Sequence, residues 1–368
     1  MTLSLNSPKG FLLALTLIVY AACGGGSSSS TPGTTSGGTA AAIAANSGGK
    51  TQINGAGATF PYPIYSKWFS EYNKLHPDIQ INYQPIGSGG GVQQIIKQTV
   101  FFGASDMPMT DEQLKSAPSP ILTFPIALGA VVTVYNISNA GSTAPKFTGP
   151  VLADILLGKI IRWNDAAIAK INPGVNLPAT AITVAHRSEG SGTTFVWLDY
   201  LAKVSPEWKQ KVGVNASVNW PTGVGGKGNE GVAGLVKQTP GSLGYVELIF
   251  AKQNNISYGS VQNQAGEFVN ADVSSVTAAA AGALATMPKD FRVSITNAAG
   301  AGVYPISSLT WILLYQNPAD KKLGAVMVDF MKWALADGQK FAPDLGYAPL
   351  PSGAIQQEMD QLGRITLQ

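Results

Sequence analysis

Residues 79–96, IQINYQPIGSGGGVQQII, hold a strand, a glycine turn and a helix in immediate succession. Ile79, Ile81 and Tyr83 alternate with polar residues, the period-two pattern of a half-buried strand. Beyond the glycines, Val92, Ile95 and Ile96 recur at helical spacing. The same two patterns alternate along the rest of the chain. Strands are predicted over 99–105, over 130–137 (AVVTVYNI, fully buried), over 181–185, over 244–250 and over 307–315. Helices are predicted over 151–160, 195–204 and 321–335, the last with Val326, Phe330 and Trp333 on one face. This mixture defines an α/β fold. No internal repeat of roughly 20 to 50 residues is present, which argues against a solenoid or propeller.

The chain has 368 residues, enough for two domains with cores that need neither disulfides nor structural metal. One Cys cannot form an intrachain disulfide, and with only two His a Cys/His metal cage is excluded as well. Only 12% of residues are charged, and the net charge of +3 is far from the concentrated basicity of a nucleic-acid binder.

The first 22 residues carry one base, Lys9, and no acid, followed by an apolar run from Phe11 to Tyr20 and the small pair Ala21-Ala22. That is the layout of a signal peptide, and the run is about half the roughly 20 residues that a spanning helix needs. Cys23 falls where the cleavage motif ends, so Tyr20-Ala21-Ala22-Cys23 resembles a bacterial lipobox with Cys23 as the lipidated residue. Tyr20 stands where an aliphatic residue is usual, and a plain cleavage site with a leftover Cys is the other reading. From Gly24 to Gly49 the Gly/Ser-rich sequence has no charge and almost nothing to bury, which predicts a flexible tether through residue 50.

Three short segments share one layout, in which a strand ends, small polar residues follow and a helix or turn begins. They are AGATF (56–60), GSGGG (87–91) and RSEGSGTT (187–194). The first turn of a helix leaves N–H groups unpaired and carries partial positive charge, so it holds an anion without a formal cation. Taken singly, Thr59, Ser88 and Ser191 read as ordinary helix caps. Arg187 offers a fixed fork of donors that matches an oxyanion, or forms a surface ion pair with Glu189. Asp106, closing GASDMP, is a turn residue or an acceptor; an anion that still carries a proton can donate to it, whereas a fully deprotonated one is repelled.

Catalytic readings fail. No GxSxG elbow is present, and a Ser-His-Asp triad would need His76, in a polar turn, or His186, directly after a strand. Residues 223–231 (GVGGKGNEG) imitate a nucleotide loop, but Lys227 is followed by Gly228 and not by Ser or Thr.

The motifs GAGATFPYPIYSKW (55–68), IGSGGGVQQI (86–95), FGASDMP (102–108), LGKIIRWND (157–165), HRSEGSGTT (186–194) and WPTGVGGKGNEGVAG (220–234) together resemble the PstS family. These are the phosphate-binding proteins of bacterial high-affinity phosphate ABC transporters. The resemblance implies a type II periplasmic-binding-protein fold, with two α/β lobes joined by two hinge strands and a cleft between them. By position, residues 51–136 and 303–368 would form lobe 1 and residues 137–302 lobe 2. It carries over, as phosphate-binding residues, Thr59, Phe60, Ser88 and Asp106 from the first lobe and Arg187, Ser191, Gly192 and Thr193 from the second. Glu189 stands where relatives usually have Asp beside the Arg, Gly89 replaces a common Ser, and Phe101 replaces a common Asp.

The expected function is therefore extracytoplasmic binding of inorganic phosphate and its delivery to the membrane permease of an ABC transporter, without catalysis or cofactor. The expected protein is a monomer held by a lipid anchor at the periplasm or the outer face of the cell membrane. The alternatives are a receptor for another oxyanion such as sulfate or molybdate, a secreted phosphatase, or a surface adhesin or sensor.

Overall fold

A computed structural model describes residues 49–138, 144–284 and 287–368. The signal segment, Cys23 and the tether up to residue 48 lie outside the described residues. Among those described, nine strands form the main sheet: β1 (Thr51–Gly57), β2 (Ile79–Pro85), β3 (Phe102–Ser105), β4 (Ile121–Tyr135), β5 (Thr183–Arg187), β6 (Val224–Gly226), β7 (Ser242–Glu247), β8 (Ser257–Tyr258) and β9 (Ser307–Tyr315). Their order is β2-β1-β3-β9-β4-β7-β5-β6, with β8 beside β4. β1 runs parallel to β2 and β3, and β5 parallel to β6 and β7, while β9 and β4 are antiparallel to their neighbours.

β4 ties the two parallel sets together. All fifteen of its residues are buried. Residues 121–130 pair with β9, and from Val131 onward the strand pairs with β7. Within it Pro125 has no N–H for the ladder, and the register against β9 slips there: Thr310 faces Ala127 while Trp311 faces Pro125. Ile126 is thus the extra residue of a bulge, and its carbonyl accepts a hydrogen bond from Gln339 Nε2 at 2.9 Å.

The helices that flank this sheet include α1 (Tyr62–Leu75), α2 (Ser88–Ile96), α3 (Gly192–Val204), α4 (Gly228–Gln238), α5 (Leu248–Gln253) and α6 (Lys321–Leu335). α1 follows β1, α2 follows β2, α3 follows β5 and α4 follows β6, so four helix N-termini stand just beyond the carboxyl ends of parallel strands. In open α/β sheets this is where ligands bind. α1 shows how the register is set, since Ile64, Tyr65, Trp68 and Tyr72 line its buried face and Trp68 Nε1 donates to the Gly338 carbonyl at 2.7 Å.

Several sequence boundaries are corrected. The strand expected over 244–250 stops at Glu247, because its carboxylate accepts from Ile249 N–H at 2.9 Å and starts α5, which takes Leu248–Gln253 into helix. The strand expected over 99–105 begins only at Phe102; Gln98 has φ 57° and Thr99 folds back on the Gln94 carbonyl. The helix expected over 151–160 is Gly149–Leu156 and ends before Gly158 at φ 73°. The strand expected to begin at 130 begins at Ile121, on the far side of the proline bulge.

Candidate functional site

The residues singled out from the sequence converge at these helix N-termini. Thr59 and Phe60 lie between β1 and α1, Ser88 opens α2, Asp106 follows β3, Arg187 ends β5, Ser191 caps α3, and Gly192 and Thr193 form its first turn. All eight are buried. The alternative reading of Arg187 as half of a surface ion pair fails on location alone: Arg187 does pair with Glu189, but it is only 3% exposed, at the end of a central strand.

Ser88 is the hub. Its Oγ accepts from Asp106 N–H and from Gly192 N–H, each at 3.1 Å, and faces Asp106 Oδ2 at 3.5 Å. The other carboxylate oxygen, Asp106 Oδ1, accepts from the Thr310 hydroxyl at 2.8 Å. Position 192 has to be glycine for this contact, because a Cβ there would overlap Ser88 Oγ and stand 2.6 Å from Asp106 Cβ. Beside it Gly89 N–H donates to the Gly190 carbonyl at 2.9 Å. Gly87, at φ 91°, turns the chain into α2 within 2.7 Å of that carbonyl, counted from the Cβ that it lacks. The departure at Gly89 has a local reason, since a side chain there would press on Gly190 at 3.2 Å.

Arg187 makes no hydrogen bond to the other seven. Its Nε donates to Glu189 Oε1 at 3.0 Å, and Nη2 donates to the same oxygen. That oxygen also accepts Gly228 N–H at 3.0 Å. Arg187 Nη1 is buried and has no partner. An unpaired buried donor on a guanidinium is costly, and an anion could supply the acceptor this nitrogen lacks. One carboxylate oxygen of Glu189 thus holds both Arg187 and the first residue of α4.

A second chain of contacts crosses from α1 to α3. Thr59 Oγ1 accepts from Asn229 Nδ2 at 2.8 Å and from Asn229 N–H at 3.3 Å, and Asn229 Nδ2 also donates to Thr193 Oγ1 at 3.2 Å. The Ser191 hydroxyl is occupied in capping Thr194 N–H at 3.1 Å. Phe60 joins through its carbonyl, which accepts from the Tyr347 hydroxyl at 2.6 Å. Asn229, Thr310 and Tyr347 were missed by sequence reasoning. Thr310 could have been found, as a hydroxyl set between Leu309 and Trp311 in a largely apolar strand, which must have a buried partner. Asn229 lay in the glycine stretch dismissed as a failed nucleotide loop.

Burial pushes the Asp106 carboxyl up to about 7, held back by the Thr310 hydroxyl, the Arg187 charge and Ser88. Burial also raises Glu247 well above the ordinary carboxylate range. The local charge is thus one guanidinium paired with Glu189 and near Glu230, and an Asp106 carboxyl poised between its two forms and near Glu247. His186 stacks on Trp220, with ring centroids 4.6 Å apart, and touches the cluster only through Nδ1, 3.0 Å from the Arg187 carbonyl. Among the described residues no group of three or more His, Cys, Asp or Glu could hold a metal ion.

A family model described as the PBP superfamily domain matches residues 35–337, so the fold with its clustered helix ends is that of a member of this superfamily. Phosphate-binding protein PstS of Xylella fastidiosa strain Temecula1 is 50% identical, over 83% of this chain and 83% of its own. Phosphate-binding protein PstS of Pasteurella multocida is 50% identical, over 83% of this chain and 88% of its own. The chain belongs to the PstS family. A solved phosphate binding protein from Stenotrophomonas maltophilia superposes with a TM-score of 0.64 at 19% identity, covering 84% of this chain and 93% of that one, a likeness of fold alone. The expected type II periplasmic-binding-protein fold is thus borne out.

Proposed function

We propose that this protein binds inorganic phosphate outside the cytoplasm and passes it to the permease of an ABC transporter, catalysing nothing. The two relatives at 50% identity carry the name phosphate-binding protein, and neither is named as an enzyme. The observation that carries the reading is Asp106: a buried carboxyl stands among hydroxyls, helix N–H groups and one Arg that would otherwise suit any oxyanion. Phosphate has a proton to donate to that carboxylate. Sulfate has none.

Thr59, Phe60, Ser88, Asp106, Arg187, Ser191, Gly192 and Thr193 are the ligating set, and Glu189 holds Arg187 for it. Residues 51–136 with 303–368 act as one lobe and 137–302 as the other, with β4 and the segment entering β9 as hinges. The ligand meets both lobes only when they close, so binding shifts an opening equilibrium. The tether is lipidated Cys23, freed by removal of residues 1–22, a reading supported by the Tyr20-Ala21-Ala22-Cys23 motif that follows the apolar run.

Competition of sulfate against labelled phosphate at about pH 8 tests the reading. Sulfate is expected to bind at least about tenfold to a hundredfold more weakly, since an unpaired buried group costs roughly 1 to 3 kcal/mol. Equal affinity for the two anions overturns it in favour of a general oxyanion receptor.

A further inference from the structure

Asn229 is fully buried at the second position of α4, and every polar atom of its side chain is engaged. Oδ1 accepts from the backbone N–H of Glu247 at 3.0 Å. That bond fixes which end of the amide is oxygen, because an inverted amide would set donor against donor. The NH2 group therefore faces Thr59 Oγ1, at 2.8 Å, and Thr193 Oγ1, at 3.2 Å. Thr59 Oγ1 receives a further donor from Asn229 N–H at 3.3 Å.

A hydroxyl has one proton and two acceptor lone pairs. On Thr59 both lone pairs are filled by Asn229, so that oxygen has no acceptor capacity left and its proton must be given elsewhere. On Thr193 one lone pair is filled in the same way. We infer that Asn229 is a positioning residue that turns the Thr59 and Thr193 hydroxyls into donors aimed at the bound anion. Because Thr59 and Asn229 come from opposite lobes, it does so only in the closed arrangement. The inference rests on phosphate, or another oxyanion, lying between these hydroxyls. It adds a selection step: a ligand group that must donate at this position finds no acceptor. Asn229 itself need not touch the anion.

A double-mutant cycle tests this by calorimetry, with wild type, Asn229→Ala, Thr59→Val and the double variant titrated with phosphate and with sulfate. Each single change is expected to weaken phosphate binding about tenfold to a hundredfold. The double variant is expected to lose no more than about threefold beyond the worse single one, since Asn229 acts through the hydroxyl that Thr59→Val removes. Fold-losses that multiply, or an Asn229→Ala protein that binds as wild type does, overturn the inference. Failure of the phosphate reading is seen separately, as wild type preferring sulfate, and the cycle is then read with sulfate. A measurement on the unmodified protein guards against a variant that does not fold. The side-chain amide protons of Asn229, followed by NMR, are expected to exchange slowly with solvent in the anion-bound protein and fast in the anion-free one. Fast exchange in the bound protein overturns the inference equally.

Discussion

The pH dependence of sulfate binding isolates the Asp106 carboxyl. With Asp106 pushed up to about 7, its ionised form dominates above neutrality and its protonated form below. Sulfate, which carries no proton between about pH 5 and pH 9, is repelled by the carboxylate but can accept from the carboxylic acid. If only the protonated protein takes sulfate, the apparent Kd is the intrinsic one divided by the protonated fraction. At about pH 9 that fraction is roughly one in a hundred, so sulfate should bind about a hundredfold more weakly than at about pH 5. The Kd should rise about tenfold per unit above pH 7 and flatten below it. Phosphate carries a proton across this whole range and should show a much shallower change. In Asp106→Asn the amide is a donor at every pH, and the sulfate curve should become flat. Calorimetric titrations at constant ionic strength give both curves. A flat wild-type curve refutes the reasoning, and so does a slope that survives in Asp106→Asn, which would assign the titration to another buried acid such as Glu247.

The same shift has a consequence for stability. Because the folded-state value lies above the ordinary one of 3.8, the folded protein holds an extra proton between about pH 4 and 7 and loses stability as pH rises through that window. Asp106→Asn removes this loss, so the anion-free variant should gain up to the order of 4 kcal/mol above neutral pH and nothing near pH 4. Thermal unfolding in phosphate-free buffer at about pH 4.5 and pH 8 measures it, and an equal shift in Tm at both values contradicts the assignment. Gly192→Ala drives a methyl into Ser88 Oγ and to 2.6 Å from Asp106 Cβ. It should keep the fold, leave small-angle scattering open in the presence of phosphate, and weaken binding at least about a hundredfold. Wild-type affinity would show that α2 and α3 need not meet when the ligand binds.

The sequence carried the strand-then-helix alternation because each of those segments has one apolar face, and period two or period 3.6 marks it directly. β4 was half legible for a definite reason: Pro125 interrupts what would otherwise be a continuous strand, and only its bulge, supported by Gln339 from more than 200 residues away, reconciles the two. The end of β7 failed similarly, because LIFAKQ has the apolar density of a strand and becomes helix through the Glu247 cap. At the site, residues next to glycine turns were visible since backbone geometry is local. Asn229 and Thr310 were not, because their meaning lies in partners 170 and 204 positions away.

A chain that is 12% charged, with a single site guanidinium already neutralised by Glu189, does not hold an anion by net charge. The recognition it offers is dipolar, from helix N–H groups and oriented hydroxyls, and dipoles act only at contact. The contacts around Ser88 and Thr59 that join the two proposed lobes are equally uncharged: Gly192 N–H to Ser88, Gly89 N–H to Gly190, and Asn229 to Thr59. One ion pair, Arg292 Nη1 to Asp111 Oδ1 at 2.7 Å, joins the same two residue ranges. At about 1 kcal/mol net for each such hydrogen bond, and no more for a solvent-exposed ion pair, closure of the proposed lobes gains only a few kcal/mol against the entropy of ordering them. An equilibrium so nearly balanced is one that a ligand touching both sides can tip. A site built on strong opposite charges would stay shut around its ligand. One built on neutral donors can close on phosphate and still open again when another protein competes for the lobes.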